Sequence, residues 1–197
     1  MRRSTTAKAR ARWPRLMRRV AEAAPVHVAC LRSDSLAVYG NLRDLGMADN
    51  IGFLLAELYP DKKIVVWAHN GHVQHDPSAM PGYGRDNRNM GSHLAERHRA
   101  DLYTVGLFMG RGTAAQNDRT IYQLTAPLPN SLEALFGRSG LPLAFVDLLG
   151  QERNEGTAWM FDEIAAKDWG RQDTRMVPRN QYDAILFVDQ VHPPHYR

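Results

Sequence analysis

Three histidines, His69, His72 and His75, mark the densest chemistry in this 197-residue chain. They follow Ile64-Val65-Val66-Trp67-Ala68, a β-branched and aromatic run behind Lys62 and Lys63. Such a run reads as a strand buried on both faces. At Ala68 the character changes, and His69, Asn70, Gly71 and His72 bring two imidazoles, an amide and a flexible backbone to the strand's C-terminal end. Open α/β sheets bind ligands at that edge. Imidazoles exchange protons near neutral pH, so the pair suits general acid–base work on a water molecule, with a carboxylate to orient the base. A lone histidine there would be read as a structural hydrogen-bonder. Two of them three residues apart, ahead of a long loop, favour a site.

Other chemistries fit less well. Zinc is a rival because His69, His72 and His75 are evenly spaced, with Asp76 available as a carboxylate. The spacing is not that of the helical HExxH pair, and no metal is assigned. No G-x-S-x-G elbow or phosphate-binding glycine fingerprint occurs, and Cys30 falls on an amphipathic pattern that suits packing. No cofactor is expected. The acidic partner of the histidines is the open point. Asp44 and Asp49, beside Arg43, lie on the helical stretch that leads into the histidine strand. That stretch should pack on the sheet, yet solvated or capping roles suit Asp49 and Asn50 equally.

The positioning elements follow from periodicity. Residues 1–12 are polar and basic, expected to be a disordered tail ahead of a single domain at 13–197. Trp13, Leu16, Met17, Val20 and Ala24 recur at helical spacing. A second helical pattern runs from Val28 to Leu58 and ends at Tyr59-Pro60-Asp61. After the strand at 63–68, residues 75–89 read as a loop long enough to be functional. A helix is expected over about 90–99, strands at 102–109, 120–125, 143–148 and 182–189, and a glycine-rich turn at 110–115. Asn130-Ser131-Leu132-Glu133 reads as a capped helix start, and 157–169 as a helix. Alternating strands and helices argue for an α/β fold, a mostly parallel or mixed sheet flanked by helices.

Charge is unevenly distributed. Residues 1–19 hold eight Arg/Lys and no acid, leaving 17 basic against 21 acidic groups in the rest. The folded body is mildly acidic, so no nucleic-acid surface is expected. Nor is a membrane partner, because no apolar run approaches the roughly 20 residues that span a bilayer. One cysteine and no secretory signal point to the cytoplasm.

The phrase Arg43-Asp44-Leu45-Gly46-Met47-Ala48-Asp49-Asn50, the strand ending Trp67-Ala68-His69-Asn70-Gly71-His72, and then Met90-Gly91-Ser92-His93-Leu94 together resemble the erythromycin esterase family. Asn130–Glu133 and the closing Val177-Pro178 through Tyr182-Asp183 to Phe187-Val188-Asp189 extend the likeness over roughly residues 40–190, in order. The resemblance implies an α/β hydrolase that opens a macrolide lactone or related ester, with histidine and glutamate residues activating water. His69 and His72 would be catalytic. Arg43, Asn70, Met90 and Gly91 would touch a small-molecule ester or lactone. The family's first Glu/His cluster is expected well upstream of Arg43, and residues 1–42 hold no Glu-x-x-His. The expectation is therefore an incomplete C-terminal part of a larger esterase-like fold, weakly active or inactive alone. Self-association through an exposed sheet edge is expected with it. The alternative is a catalytically inactive remnant that binds a small molecule or partner chain.

Overall fold

In a computed structural model the described residues are Val28, 36–81 and 84–195. The basic tail, the helix expected at 13–24 and Cys30 lie outside them. The chain is α/β, with a mixed sheet flanked by helices. Two strands form the middle of the sheet: β1 (Val105–Ala115) and β6 (Ala184–Val191) run parallel, from Val105↔Ala184 to Gly112↔Val191. β2 (Ile121–Gln123) pairs antiparallel with the far end of β1. β3 (Leu143–Asp147) pairs antiparallel with β6 on the other edge, giving the order β2-β1-β6-β3. A separate hairpin joins β4 (Ile164–Asp168) to β5 (Gln172–Met176).

The main core lies on one face of the sheet. Phe108, Ile185 and Phe187 point into it, against Leu132 and Phe136 of a short helix (Leu132–Gly137), Ile164 and Met176 of the hairpin, and Tyr182. Alternation along β1 and β6 explains this: every second side chain of a strand faces the same way. That short helix begins where the sequence places it, with Ser131 accepting from the Ala134 N–H at 3.2 Å.

A second cluster holds two helices together. The first, α1, spans Leu36–Phe53 and continues as a π-helical turn to Leu58. The second spans Met90–His98. It starts at Asn89, whose side chain accepts from the Ser92 N–H at 2.8 Å, while the Ser92 hydroxyl accepts from the Asn89 N–H at 3.0 Å. Ala48, Met90 and Leu94 are buried between them. Among the described residues no helix is long and apolar enough to cross a membrane.

Three expected elements differ. Residues 63–68 form no strand and have no ladder partner among the described residues, and Val65 and Trp67 are 90% and 85% exposed. The pattern specifies extended backbone, but a strand exists only where another chain segment supplies hydrogen bonds. The glycine-rich stretch at 110–115 is not a turn but the second half of β1, paired to both β6 and β2. Residues 157–169 are not a helix. Only Ala158–Met160 form a 3-10 turn, and β4 follows, because the polar strand Gln172–Met176 completes its ladder.

Candidate active site

The segment after residue 68 turns once as a helix, α2 (Asn70–Val73), with His69 as its N-cap. Two side chains hold this turn in place. Asn70 grips the free edge of β1: its amide donates to the Leu107 carbonyl at 2.8 Å and its oxygen accepts from the Leu107 N–H at 2.9 Å. Asn89 donates to the Gly71 carbonyl at 2.8 Å. Gly91 lets the helix at 90–98 approach, since a Cβ there would lie 2.2 Å from the Val73 carbonyl oxygen.

His72 meets the carboxylate that the sequence left unplaced. Its Nδ1 lies 2.6 Å from Asp44 Oδ1, and Asp44 is only 3% exposed. The Met90 N–H donates to the same oxygen at 3.0 Å. Because Asp44 can only accept when ionised, Nδ1 carries the proton and Nε2 keeps its lone pair. Arg43 Nη2 stands 3.3 Å from Nε2 and 3.3 Å from Asp44 Oδ2. Burial works to raise the Asp44 pKa, but the His72 and Met90 hydrogen bonds and the charges of His72 and Arg43 outweigh it and leave it below the usual carboxylate value.

His69 is held differently. Its Nδ1 accepts from the Gly71 N–H at 3.1 Å, so in the neutral ring the proton sits on Nε2. That nitrogen lies 3.3 Å from Asp168 Oδ1, at the end of β4. Trp169 stacks on the ring, with centroids 4.1 Å apart and planes 19° from parallel. Burial lowers the His69 pKa, with Asp168 opposing and His72 adding to the effect. Burial raises that of Asp168, against the pull of His69. Both groups are thus pushed toward their neutral forms.

The fold brings His69, His72, Arg43 and Asn70 to one turn and its immediate surroundings. Met90 and Gly91 are buried behind it, where they hold Asp44 and seat the turn. His75 leaves the group: its Nε2 faces the buried Asp183 at 3.6 Å. Among the described residues no three His, Cys, Asp or Glu side chains are grouped to hold a metal ion. Beside the turn lies a shallow hollow, walled by Asn70, Gly71, Gln74, Phe108, Asp168 and Tyr182.

Sequence reasoning missed Asp168 and Trp169 by placing them in a helix. The signal was weak: Trp169-Gly170 can form a turn, but Ile164–Asp168 and Gln172–Met176 carry no period-2 alternation that would mark them as strands. Asp44 was visible in the Arg43-Asp44 phrase, but its partner was not.

Comparison with known proteins agrees with this architecture. A family model described as Erythromycin esterase matches residues 1–191, reaching further toward the N-terminus than the motifs at 40–190. A Bacillus subtilis (strain 168) protein named "Putative hydrolase YbfO" is 33% identical over 157 residues, 77% of this chain and 35% of that protein. Among solved structures, a Bacillus cereus protein aligns with a TM-score of 0.64 at 20% identity, covering 80% of this chain and 40% of its own. A succinoglycan biosynthesis protein gives 0.65 at 16% identity, covering 82% and 41%. The erythromycin esterase variant EreC in its open conformation gives 0.54 at 20%, covering 76% and 37%. The chain spans about a third of the length of the curated relative and about two-fifths of these structures.

Proposed function

The chain belongs to the erythromycin esterase family, and from that premise we propose that it serves a hydrolase that opens a macrolide lactone or related ester with water. The observation that carries this reading is the 2.6 Å contact between His72 Nδ1 and the buried Asp44. It leaves Nε2 as the nitrogen with the lone pair, 3.3 Å from the Arg43 guanidinium. In this reading His72 Nε2 takes a proton from water as the water oxygen bonds to the ester carbon. The carbonyl π electrons move to oxygen, and Arg43 stabilises the oxyanion. The intermediate then collapses, the C–O bond to the leaving alcohol breaks, and the imidazolium returns its proton to that alkoxide. Carboxylic acid and alcohol result, with the base regenerated. His69 Nε2–H supplies a second donor near the substrate, and Asn70 and Met90 keep the two rings and Asp44 in register. A single cysteine is compatible with a cytoplasmic setting.

A second reading is favoured by Val65 and Trp67, exposed on a backbone without ladder partners among the described residues. The chain would then bind a small molecule or a partner chain without turnover, and β3, an edge strand among the described residues, would support self-association. Erythromycin incubated with the chain and followed by mass spectrometry for the gain of one water separates the two. The hydrolase reading expects turnover that drops by about 10²–10⁴ in His72→Asn and Asp44→Asn. Turnover surviving in both His69→Ala and His72→Ala removes the histidine pair from the chemistry. Histidine-dependent binding without any water gained supports the second reading.

A further inference from the structure

The turn between β4 and β5 holds a tryptophan in a backbone conformation that tryptophan rarely adopts. Trp169 has φ +55° and Gly170 φ +68°, and the turn closes with the Arg171 N–H donating to the Asp168 carbonyl at 3.1 Å. Positive φ at both central positions is the pattern of a type I′ turn, where Asn-Gly or Gly-Gly is usual. A bulky residue in that region persists only when its surroundings over-determine it, and such residues cluster at functional sites.

The surroundings here do so, and from elements that do not include His69. The Tyr122 hydroxyl donates to the Trp169 carbonyl at 3.0 Å, the Thr125 N–H to the Gly170 carbonyl at 3.0 Å and the Thr125 hydroxyl to the Arg171 carbonyl at 3.2 Å. The Arg171 guanidinium lies over the Tyr122 ring, 4.6 Å from its centroid. One strand residue back, the Lys167 N–H donates to Glu133 Oε1 at 2.8 Å. The hairpin tip is thus fixed to β2 and the segment just after it, and to the helix at 132–137, and from there it presents two side chains to one imidazole.

We propose that Asp168 and Trp169 are positioning residues that clamp His69, Trp169 setting the plane of the ring and Asp168 holding the proton on Nε2. This deepens the reading of His69 as a site residue and rests on it. Its consequence is a division of labour. With Nδ1 taken by the Gly71 N–H and Nε2 protonated, His69 is a hydrogen-bond donor, while the lone pair available for base chemistry is that of His72 Nε2, which faces Arg43 Nη2 at 3.3 Å. The charged or titratable groups that act on His69 are Asp168, from β4, and His72, from its own turn.

The test reads the ring directly, in the full chain labelled with ¹⁵N-histidine, through two-bond ¹H–¹⁵N side-chain correlations across a pH series. Wild type is expected to show His69 as a single Nε2–H tautomer. Trp169→Gly suits the backbone and keeps the β4–β5 amide pattern. It should release the ring, averaging the tautomers and moving the His69 ring protons downfield, and Trp169→Phe should restore the wild-type signature. Asp168→Asn removes the carboxylate that favours imidazolium, so the His69 midpoint should fall. A wild-type ring averaging its tautomers or protonated on Nδ1 overturns the proposal. So does a His69 signature unmoved by both Trp169→Gly and Asp168→Asn. If Trp169→Gly loses the hairpin, Trp169→Phe and Asp168→Asn decide. None of these readouts needs turnover: a locked ring in a chain that opens no lactone leaves the clamp standing and the hydrolase reading lost. Hydrolysis with an unclamped ring does the reverse.

Discussion

Asp44 serves two donors with one oxygen, His72 Nδ1–H and the Met90 N–H, and so ties a catalytic candidate to the start of a helix. Asp44→Asn replaces an ionised acceptor with an amide, weakening both bonds at a buried position. Unfolding by urea is expected to show a loss of about 1–3 kcal/mol. The histidines add a pH dependence whose sign follows from burial. His75 lies below its ordinary pKa because burial disfavours the imidazolium; Asp183 opposes that and Arg99 assists it. His69 is lowered for the same first reason. The unfolded chain therefore binds protons near pH 6.5 that the folded chain resists, so stability falls as pH drops through that value. Asp44, lowered too, gives stability that is present above its ordinary carboxylate value of 3.8 and is lost on further acidification. Urea midpoints between pH 5 and 8 should decline on the acid side, and His75→Gln should flatten the decline. A flat wild-type profile contradicts the burial of these rings.

At the scale of elements, the site depends on how closely two helical segments approach. The turn at 70–73 and the helix at 90–98 meet with the Val73 carbonyl against Gly91, where a Cβ would sit 2.2 Å from oxygen. Gly91→Ala must push the segments apart and disturb the Asn89 bond to Gly71 and the Met90 bond to Asp44. A cost of about 3 kcal/mol is expected, at the upper end for overpacking. The change should also broaden the His72 ring signals. Gly40, on the open side of α1, has nothing within 4 Å of an added Cβ, so Gly40→Ala is the control that should not destabilise.

At the scale of the whole molecule, the four-stranded sheet of the described residues ends at β2 on one side and β3 on the other. β3 is an edge strand among the described residues, and Leu143 and Phe145 on it are 59% and 57% exposed, with Asp147 at its end as its only charge. Edges in natural sheets are usually blunted by charge, proline or bulges. Concentration-dependent association is therefore expected in light scattering, and Phe145→Lys should reduce it without moving the urea midpoint by more than about 0.5 kcal/mol. An equally monodisperse wild type at high concentration sinks this expectation.

The sequence by itself determined the parts that depend on local pattern and on motif order. These were the α/β class, the strands read at 143–148 and 182–189 and found at Leu143–Asp147 and Ala184–Val191, the helix from Met90, the Ser131 cap and the family through its Arg43-Asp44 and His69–His72 phrases. Each is encoded by neighbours in the chain. Tertiary structure alone decided the rest. Whether 63–68 is a strand depends on a partner for its backbone. Whether Ile164–Asp168 is helix or strand depended on the polar segment at 172–176. The carboxylates of the two histidines come from positions 28 residues before His72 and 99 after His69, a pairing that no local spacing records, because it is made where a helix and the β4–β5 hairpin each pack on the 70–73 turn.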